Sequence, residues 1–408
     1  MTPVWSQTAA YLQLALSIDR HLPGFVDAYF GPMEHRRTVG ERAKPPLEEL
    51  AAVAAGLREE VSANRSLEPA RREYLAAQML AMETVLEILA GEPLSIVEET
   101  QRVYGVTPSW TDESAFLEAH RELGEIVPGD GSLAARCEAY ERQMRVAVGE
   151  ALPVIRWLAT ELQERARSEF PLPAGEKCEF RFVRGKPWYA FNHYRGRYTS
   201  RIELNVDVPV NIVWLPLTLA HEAYPGHHTE STIKEHRLVR DLGRMEHAIQ
   251  IENSPSAVIS EGIANAALDV LLPPDDLVEV YASLLRRCRM SPGEGRRAAA
   301  YMKAQRPLGR VRPNCILLAY QGHRLDAELL AYSKRHALLP ENEAQMSLRY
   351  IKDPLRRSYG FIYPLGEDPV RRFVFGGADP LRRFARLLEV PATPDQVVGW
   401  IETRAPEA

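Results

Sequence analysis

Pro225 and Gly226 stand inside the densest cluster of chemically active residues in the chain, and they limit what can form around them. The stretch from Leu215 to Lys234 places His221, Glu222, His227 and His228 within eight positions, three of the chain's eleven histidines. An apolar run, Ile212 to Ala220, leads into it, so the imidazoles start from a buried wall. Pro225 removes a backbone donor and its ring clashes with the carbonyl of His221, while Gly226 relaxes the backbone. A regular helix through both residues is therefore not expected; a widened turn or a break is. On an unbroken helix His228 would return to the face of His221 about 10 Å further along the axis, and His227 would face elsewhere. With the break, either histidine can approach His221, and spacing does not choose between them.

A second stretch, Ser254 to Val270, reads as an apolar, alanine-rich helix capped by Ser254 or Ser256 and interrupted by Glu261 and Gly262. A carboxylate in such a helix is costly unless it is paired or bound to a metal. Glu261 is thus the expected third ligand beside His221 and one of His227 and His228. Two histidines and one glutamate, with a fourth position left for water, is the catalytic pattern for zinc rather than the closed structural one. The familiar signature His-Glu-x-x-His places a general base directly after the first ligand, and Glu222 holds that place here. Gly262, Ala264, Ala266 and Ala267 would let the two helices approach closely. The same donors also suit iron or manganese, and a kinked helix with satisfied core histidines is the plain structural alternative.

The run His221-Glu222-Ala223-Tyr224-Pro225-Gly226-His227-His228 resembles the His-Glu-x-x-Pro-Gly-His-His signature of the bacterial DUF885 family, a domain of unknown function thought to comprise zinc peptidases related to the gluzincins. Leu318 to Arg324 resembles the Tyr-x-x-Gly segment near the end of that family, and Glu261 stands where a gluzincin glutamate ligand would. The likeness covers the chain from its first helices to about residue 340, and the eight-residue motif is its specific part. The chain departs from the family in being shorter and in carrying Ser260-Glu261-Gly262 where a more aromatic version is expected. The resemblance implies a mostly helical metallopeptidase-like fold, zinc as the cofactor, and Tyr320 as the phenol facing the reacting carbonyl. It brings no defined substrate.

Helical periodicity recurs over residues 6–22, Pro46 to Val61, Glu68 to Ala90, Asp112 to Leu123 and Leu133 to Phe170, the last broken near Pro153. The segment Val26 to Pro32 reads as a turn. Cys178 to Val183 and Tyr198 to Val208 alternate apolar and polar residues and form the one convincing strand pair, a small β-hairpin or short sheet beside the metal helix. The aromatic, basic segment between them, Trp188 to Tyr198, could border a cleft, with His193 or Tyr194 touching substrate. Further helices are expected over Ser231 to Glu252, polar and solvent-facing, and over Leu277 to Arg289, Pro292 to Ala304 and Asn314 to His336. In the tail, Arg349, Tyr350, Arg356, Arg357, Tyr359 and Tyr363 offer phenols for an oxyanion and guanidinium groups for a substrate carboxylate. The fold class is mostly α: one domain over residues 1–408, or two lobes with a helical roof over 1–170 and the strands, metal site and C-terminal helices in 171–408.

Charge and motif content narrow the function further. A formal net charge of −5 offers no general attraction to nucleic acid or anionic lipid. The opening residues carry neither a basic region nor an uninterrupted apolar span, and the four cysteines lack C-x-x-C spacing, so no membrane anchor and a cytoplasmic location are expected. No phosphate-binding glycine loop and no Gly-x-Ser-x-Gly elbow appears. The expectation is a zinc-dependent hydrolase of short peptides or related amides, with Glu222 as base, Tyr320 at the oxyanion and Arg349, Arg356, Arg357 and Tyr359 favouring a carboxypeptidase-like grip on a terminal carboxylate. The alternatives are an acidic groove lined by Glu230, Glu235 or Asp269 that holds the amino terminus instead, as in an aminopeptidase or dipeptidase, an inactive helical metal-binding or interaction protein, and an iron or manganese enzyme. Oligomeric state leaves no trace in the sequence.

Overall fold

A computed structural model describes residues 7–186, 188–207, 209–353 and 356–403. The fold is mostly α with a few short sheets. Local chemistry sets the helix ends. Gly91, at φ 89°, closes the helix Pro69–Ala90 in the left-handed conformation that glycine adopts without strain. Ser95 caps Ile96–Tyr104, its hydroxyl accepting from the Glu98 amide at 3.1 Å. Pro153 is accommodated inside Val148–Glu169, where it forfeits one backbone bond; the expected break falls earlier, at the two-residue strand Arg145–Val146. The helix expected over Asn314 to His336 is divided into Val311–Tyr320 and Asp326–His336, with His323 between them at φ 49°.

Two buried clusters make the core. One gathers the helices Thr8–Asp19, Leu47–Ala63 and Pro69–Ala90 around Tyr11, Leu75 and Met79; the other runs from Ile96 to Val397. The helix Pro255–Leu271, here called the glutamate helix, serves both: Val258 belongs to the first cluster, Ile259 and Ile263 to the second. It meets the tail helix Ile362–Phe375 at two glycines. A Cβ on Gly262 would lie 2.3 Å from the Gly366 carbonyl oxygen, and one on Gly366 would lie 2.0 Å from that of Val258. The small residues beside Glu261 thus allow close approach to the tail helix as well as packing against the helix of His221.

The sheet differs from the expected hairpin. Lys177–Val183 and Thr199–Asn205 pair in parallel, Lys177 opposite Thr199 and Val183 opposite Asn205. Parallel neighbours need a long connection, and residues 184–198 supply it while adding a strand of their own, Ala190–Tyr194, antiparallel to the other side of Thr199–Asn205. Ala190–Tyr194 is therefore an edge strand. Val26–Tyr29, read as a turn, is a strand paired with Ile249–Ile251, and the register slips between Val26 and Ala28. The polar helix expected over Ser231 to Glu252 stops at Lys234, continues as a π-helical stretch over Glu235–Asp241 and gives way to that strand. Glu230, Ser231, Thr232 and Glu235 are buried, because this segment lies between the sheet and the glutamate helix rather than against solvent. No single helix among the described residues is long and apolar enough to cross a membrane.

Candidate metal centre

The motif folds as two helices, Leu215–Glu222 and His227–Lys234, with the break at residues 223–226. The Gly226 amide turns back to the Ala220 carbonyl at 2.9 Å, which folds the second helix against the end of the first. His221 thus closes one helix while His227 opens the next. Their Nε2 atoms lie 3.1 Å apart. Glu261 completes the group, with Oε2 3.4 Å from His221 Nε2 and Oε1 3.6 Å from His227 Nε2. One ligand atom from each residue falls within 4.8 Å of the other two.

The electrostatics favour positive charge at the cluster. Burial works against charge on His227, yet the hydrogen bond and charge of Glu261, with Glu222 and Glu230 behind, raise its pKa to about 10. Burial opposes the charge of Glu261 as well, but both imidazoles hold that carboxyl far below its ordinary range. Glu261 Oε2 is buried and has no hydrogen-bond partner among the described residues. A buried carboxylate set against two imidazole nitrogens, with one oxygen left without a hydrogen bond, fits a divalent ion taking two histidines and one carboxylate.

A relay orients His227. Its Nδ1 meets Ser260 Oγ at 3.1 Å, and that hydroxyl donates to Glu230 Oε2 at 2.6 Å, which Lys234 also holds. With its proton committed to Glu230, Ser260 accepts from Nδ1–H, leaving the Nε2 lone pair for a metal.

His228 turns the other way. One residue further round the helix, it is wholly buried, with Nδ1 2.9 Å from Ser200 Oγ and Nε2 2.8 Å from Glu176 Oε2. Glu176 also accepts from Tyr224, Gln163 and Arg167. Burial opposes its charge, but these donors, His228 first, bring its carboxyl down to about 2. Both nitrogens of His228 are thereby occupied, and it does not join the cluster.

Glu222 is buried beside the cluster, and burial raises its carboxyl against the opposing pull of His221 and His227. Asn192 of the edge strand fixes the backbone here, its Nδ2 donating to the Glu222 carbonyl at 2.6 Å. A cleft of about 580 Å³ opens in front of these residues. His193 lines it and lies 3.2 Å from Glu203. Tyr194, on the opposite face of the strand, donates to Glu235 and is not part of the wall.

The tail residues divide. Tyr320 lies outside the wall: its hydroxyl donates to the Ile351 carbonyl at 2.8 Å and Arg357 covers its ring. Arg357 is held by Glu99 and the Leu94 carbonyl, and Arg349 is exposed to solvent; neither lines the cleft. Arg356 and Tyr359 do, together with Tyr350 and Tyr363, the other phenols of the tail cluster. Burial, then the charge of Glu261, pushes the Tyr363 phenol up, which places it in the field of the cluster. Asp27, Glu252 and Asn192 are further wall residues that sequence reasoning missed.

No family model matches the sequence, and no curated protein does. Among solved structures, a candidate lipoprotein from Colwellia psychrerythraea superposes with a TM-score of 0.52 at 12% identity, covering 98% of this chain and 77% of the other. Two more align below the level that carries an argument. They are a candidate lipoprotein of unknown function from Shewanella oneidensis (TM-score 0.49, 13% identity, 98% and 83% covered) and a carboxypeptidase from Pyrococcus furiosus (TM-score 0.36, 11% identity, 97% and 96% covered). The first likeness shows a shared fold and says nothing of chemistry, so the resemblance to DUF885 rests on the motif residues themselves.

Proposed function

We propose that the protein is a zinc-dependent hydrolase of peptide bonds in short peptides. The observation that carries this reading is the convergence of His221, His227 and Glu261 beside Glu222 on the wall of a cleft. His221, His227 and Glu261 would hold the ion, which when bound supplies Lewis acidity and lowers the pKa of water. Glu222, whose raised pKa suits a group that takes up and releases a proton, accepts the proton of the attacking water and delivers it to the leaving amine. Tyr350 and Tyr363 replace Tyr320 as the phenols able to donate to the oxyanion. The edge of Ala190–Tyr194, unpaired among the described residues, can receive the substrate backbone as an added strand, fixing the scissile carbonyl without reading side chains. A cleft of about 580 Å³ suits a few residues rather than a folded protein.

Of the three arginines expected to grip a terminal carboxylate, Arg356 alone reaches the cleft, so a carboxypeptidase-like action keeps one of its supports. Four free cysteines accord with a reducing cytoplasm. The test is release of amino groups from a set of tripeptides by zinc-loaded and chelator-treated protein. Zinc-dependent cleavage that vanishes in Glu222→Gln is expected; a protein that carries one zinc and cleaves none of them overturns the reading.

A further inference from the structure

The cleft holds two carboxylates that the hydrolytic chemistry does not use. Asp27 sits at the irregularity of the first strand pair: Val26 faces Ile251 and Ala28 faces Gln250, so Asp27 is the extra residue. Such a bulge re-aims a side chain, and this one lines the cleft. Glu252 follows at the end of the partner strand, its amide bound to the Phe25 carbonyl at 3.0 Å, and lines the cleft as well. The edge strand Ala190–Tyr194 packs against Val26–Tyr29 and brings Asn192 to the same wall. Asn192 is 8% exposed; its Nδ2 is spent on the Glu222 carbonyl, and its Oδ1 is buried with no partner among the described residues.

Of the other carboxylates of the wall, Glu222 is the base of the proposed hydrolysis and three more are matched. Glu261 faces two imidazoles, Glu230 takes Lys234 and Ser260, and Glu235 takes Arg240 and Tyr194. Among the described residues Asp27 makes no hydrogen bond or ion pair with its carboxylate. Glu252 has the Tyr359 phenol and the distant field of Arg356, whose guanidinium lies 3.8 Å from Asp353. Burial, and then each other's charge in the case of Asp27, pushes both carboxyls up, Glu252 to about 7. Both also lie in the field of Glu261 and His227 on the wall of the same cleft, so a cation they accept shares that cleft with the cluster.

We infer that Asp27, Glu252 and Asn192 Oδ1 form the subsite for the free α-ammonium group of the substrate, which makes the enzyme an aminopeptidase or dipeptidase. An ammonium offers three N–H donors and no acceptor, and this wall offers two carboxylates and one unpartnered amide oxygen. When the carbonyl of a first residue faces the cluster, its own amine lies two bonds from the carbonyl carbon, within the cleft that these acceptors line. A terminal carboxylate in the same place would be repelled. The inference rests on the hydrolase reading and reverses the end preference drawn from the arginines.

The test compares Leu-Ala-Ala with its N-acetylated and C-amidated forms on zinc-loaded protein. Acetylation should lower kcat/KM by about 10- to 100-fold, the value of a charge-assisted contact, and amidation should be tolerated. In Asp27→Asn and Glu252→Gln the ratio of free to acetylated kcat/KM should fall toward one, with melting temperature and zinc content retained. Calorimetry on the zinc-free protein gives a second measurement: leucinamide should bind, acetyl-leucinamide should not, and both variants should weaken leucinamide by the same factor. Equal turnover of free and acetylated peptide overturns the inference and leaves the hydrolase reading standing, as does cleavage stopped by amidation alone. A second equivalent of zinc that Asp27→Asn loses would assign the pair to a metal instead. Variant-sensitive leucinamide binding in a protein that cleaves no peptide would keep the amine subsite and remove the hydrolase.

Discussion

Gly226→Ala is the sharpest test of how the two motif helices build the metal centre. A Cβ on Gly226 would lie 1.9 Å from the His221 carbonyl oxygen and 2.4 Å from that of Ala220, where real Cβ contacts stay beyond 3.0 Å. Both obstacles are backbone, so no side-chain rotation relieves them. The second helix must retreat from the first by at least about 1 Å, carrying His227 away from His221. Zinc–nitrogen bonds tolerate little of that, and a misplacement of this size costs about 100-fold, or about 2.7 kcal/mol, in zinc affinity. Competition with a chromogenic chelator reads the Kd, and thermal denaturation of the metal-free protein reads the strain separately. Gly56→Ala is the control: nothing lies within 4 Å of its Cβ, and alanine inside Leu47–Ala63 should stabilise by about 0.5–1 kcal/mol. A Gly226→Ala protein with parental zinc Kd and Tm would show that the tight reversal does not set the ligand geometry.

Three further outcomes are expected. Glu222→Gln should keep zinc content and Tm near parental while kcat/KM falls by about 10²- to 10⁴-fold; loss of the metal would move Glu222 into the ligand set. His227→Ala should bind well under one zinc per chain, whereas His228→Ala should keep the ion and lose about 1–3 kcal/mol of stability by taking one donor from buried Glu176, which retains Tyr224, Gln163 and Arg167, so parental zinc in His227→Ala would reverse the assignment. Acid should act through Glu176. Its folded carboxyl, at about 2 against an ordinary 4.5, contributes stability that is present above pH 4.5 and lost as pH falls toward 2. Glu176→Gln should flatten that part of the denaturation profile, and an unchanged acid limb would remove Glu176 as its source.

Much of the helical scaffold could be read from periodicity and capping, because helices are specified by neighbours three and four residues away. Ser254 caps the glutamate helix as expected, accepting from the Ala257 amide, and the break at Pro225-Gly226 follows from what those two residues do to any helix. The strands were harder. Alternation located Lys177–Val183 and Thr199–Asn205 but carries no information on direction, and only the third strand in their connection makes them parallel. Val26–Tyr29 and Ile249–Ile251 are too short for alternation to register, and their pairing joins residues over two hundred positions apart.

The site shows the same division between local and distant causes. Sequence spacing could bring two histidines toward one ion, but the choice between His227 and His228 is made elsewhere. Ser260 and Glu230 draw His227 toward Glu261, while Ser200 and Glu176 take both nitrogens of His228 into the sheet side. Adjacent residues on a helix point about 100° apart, so whichever imidazole faces the glutamate helix, the other must find a buried partner elsewhere. Glu176 lies in a loop at the start of the sheet where nothing marked it as an acceptor. Tyr320 failed as the phenol for a related reason: its helix ends before the cleft, and the tail returns to deliver Tyr350 and Tyr363 instead. That return depends on the contact between Gly262 and Gly366, which brings the tail helix against the backbone beside Glu261. Gly262 thus sets how closely the helix that carries Tyr363 approaches Glu261, and a larger residue there would push Tyr363 away from Glu261 before it disturbed the histidines.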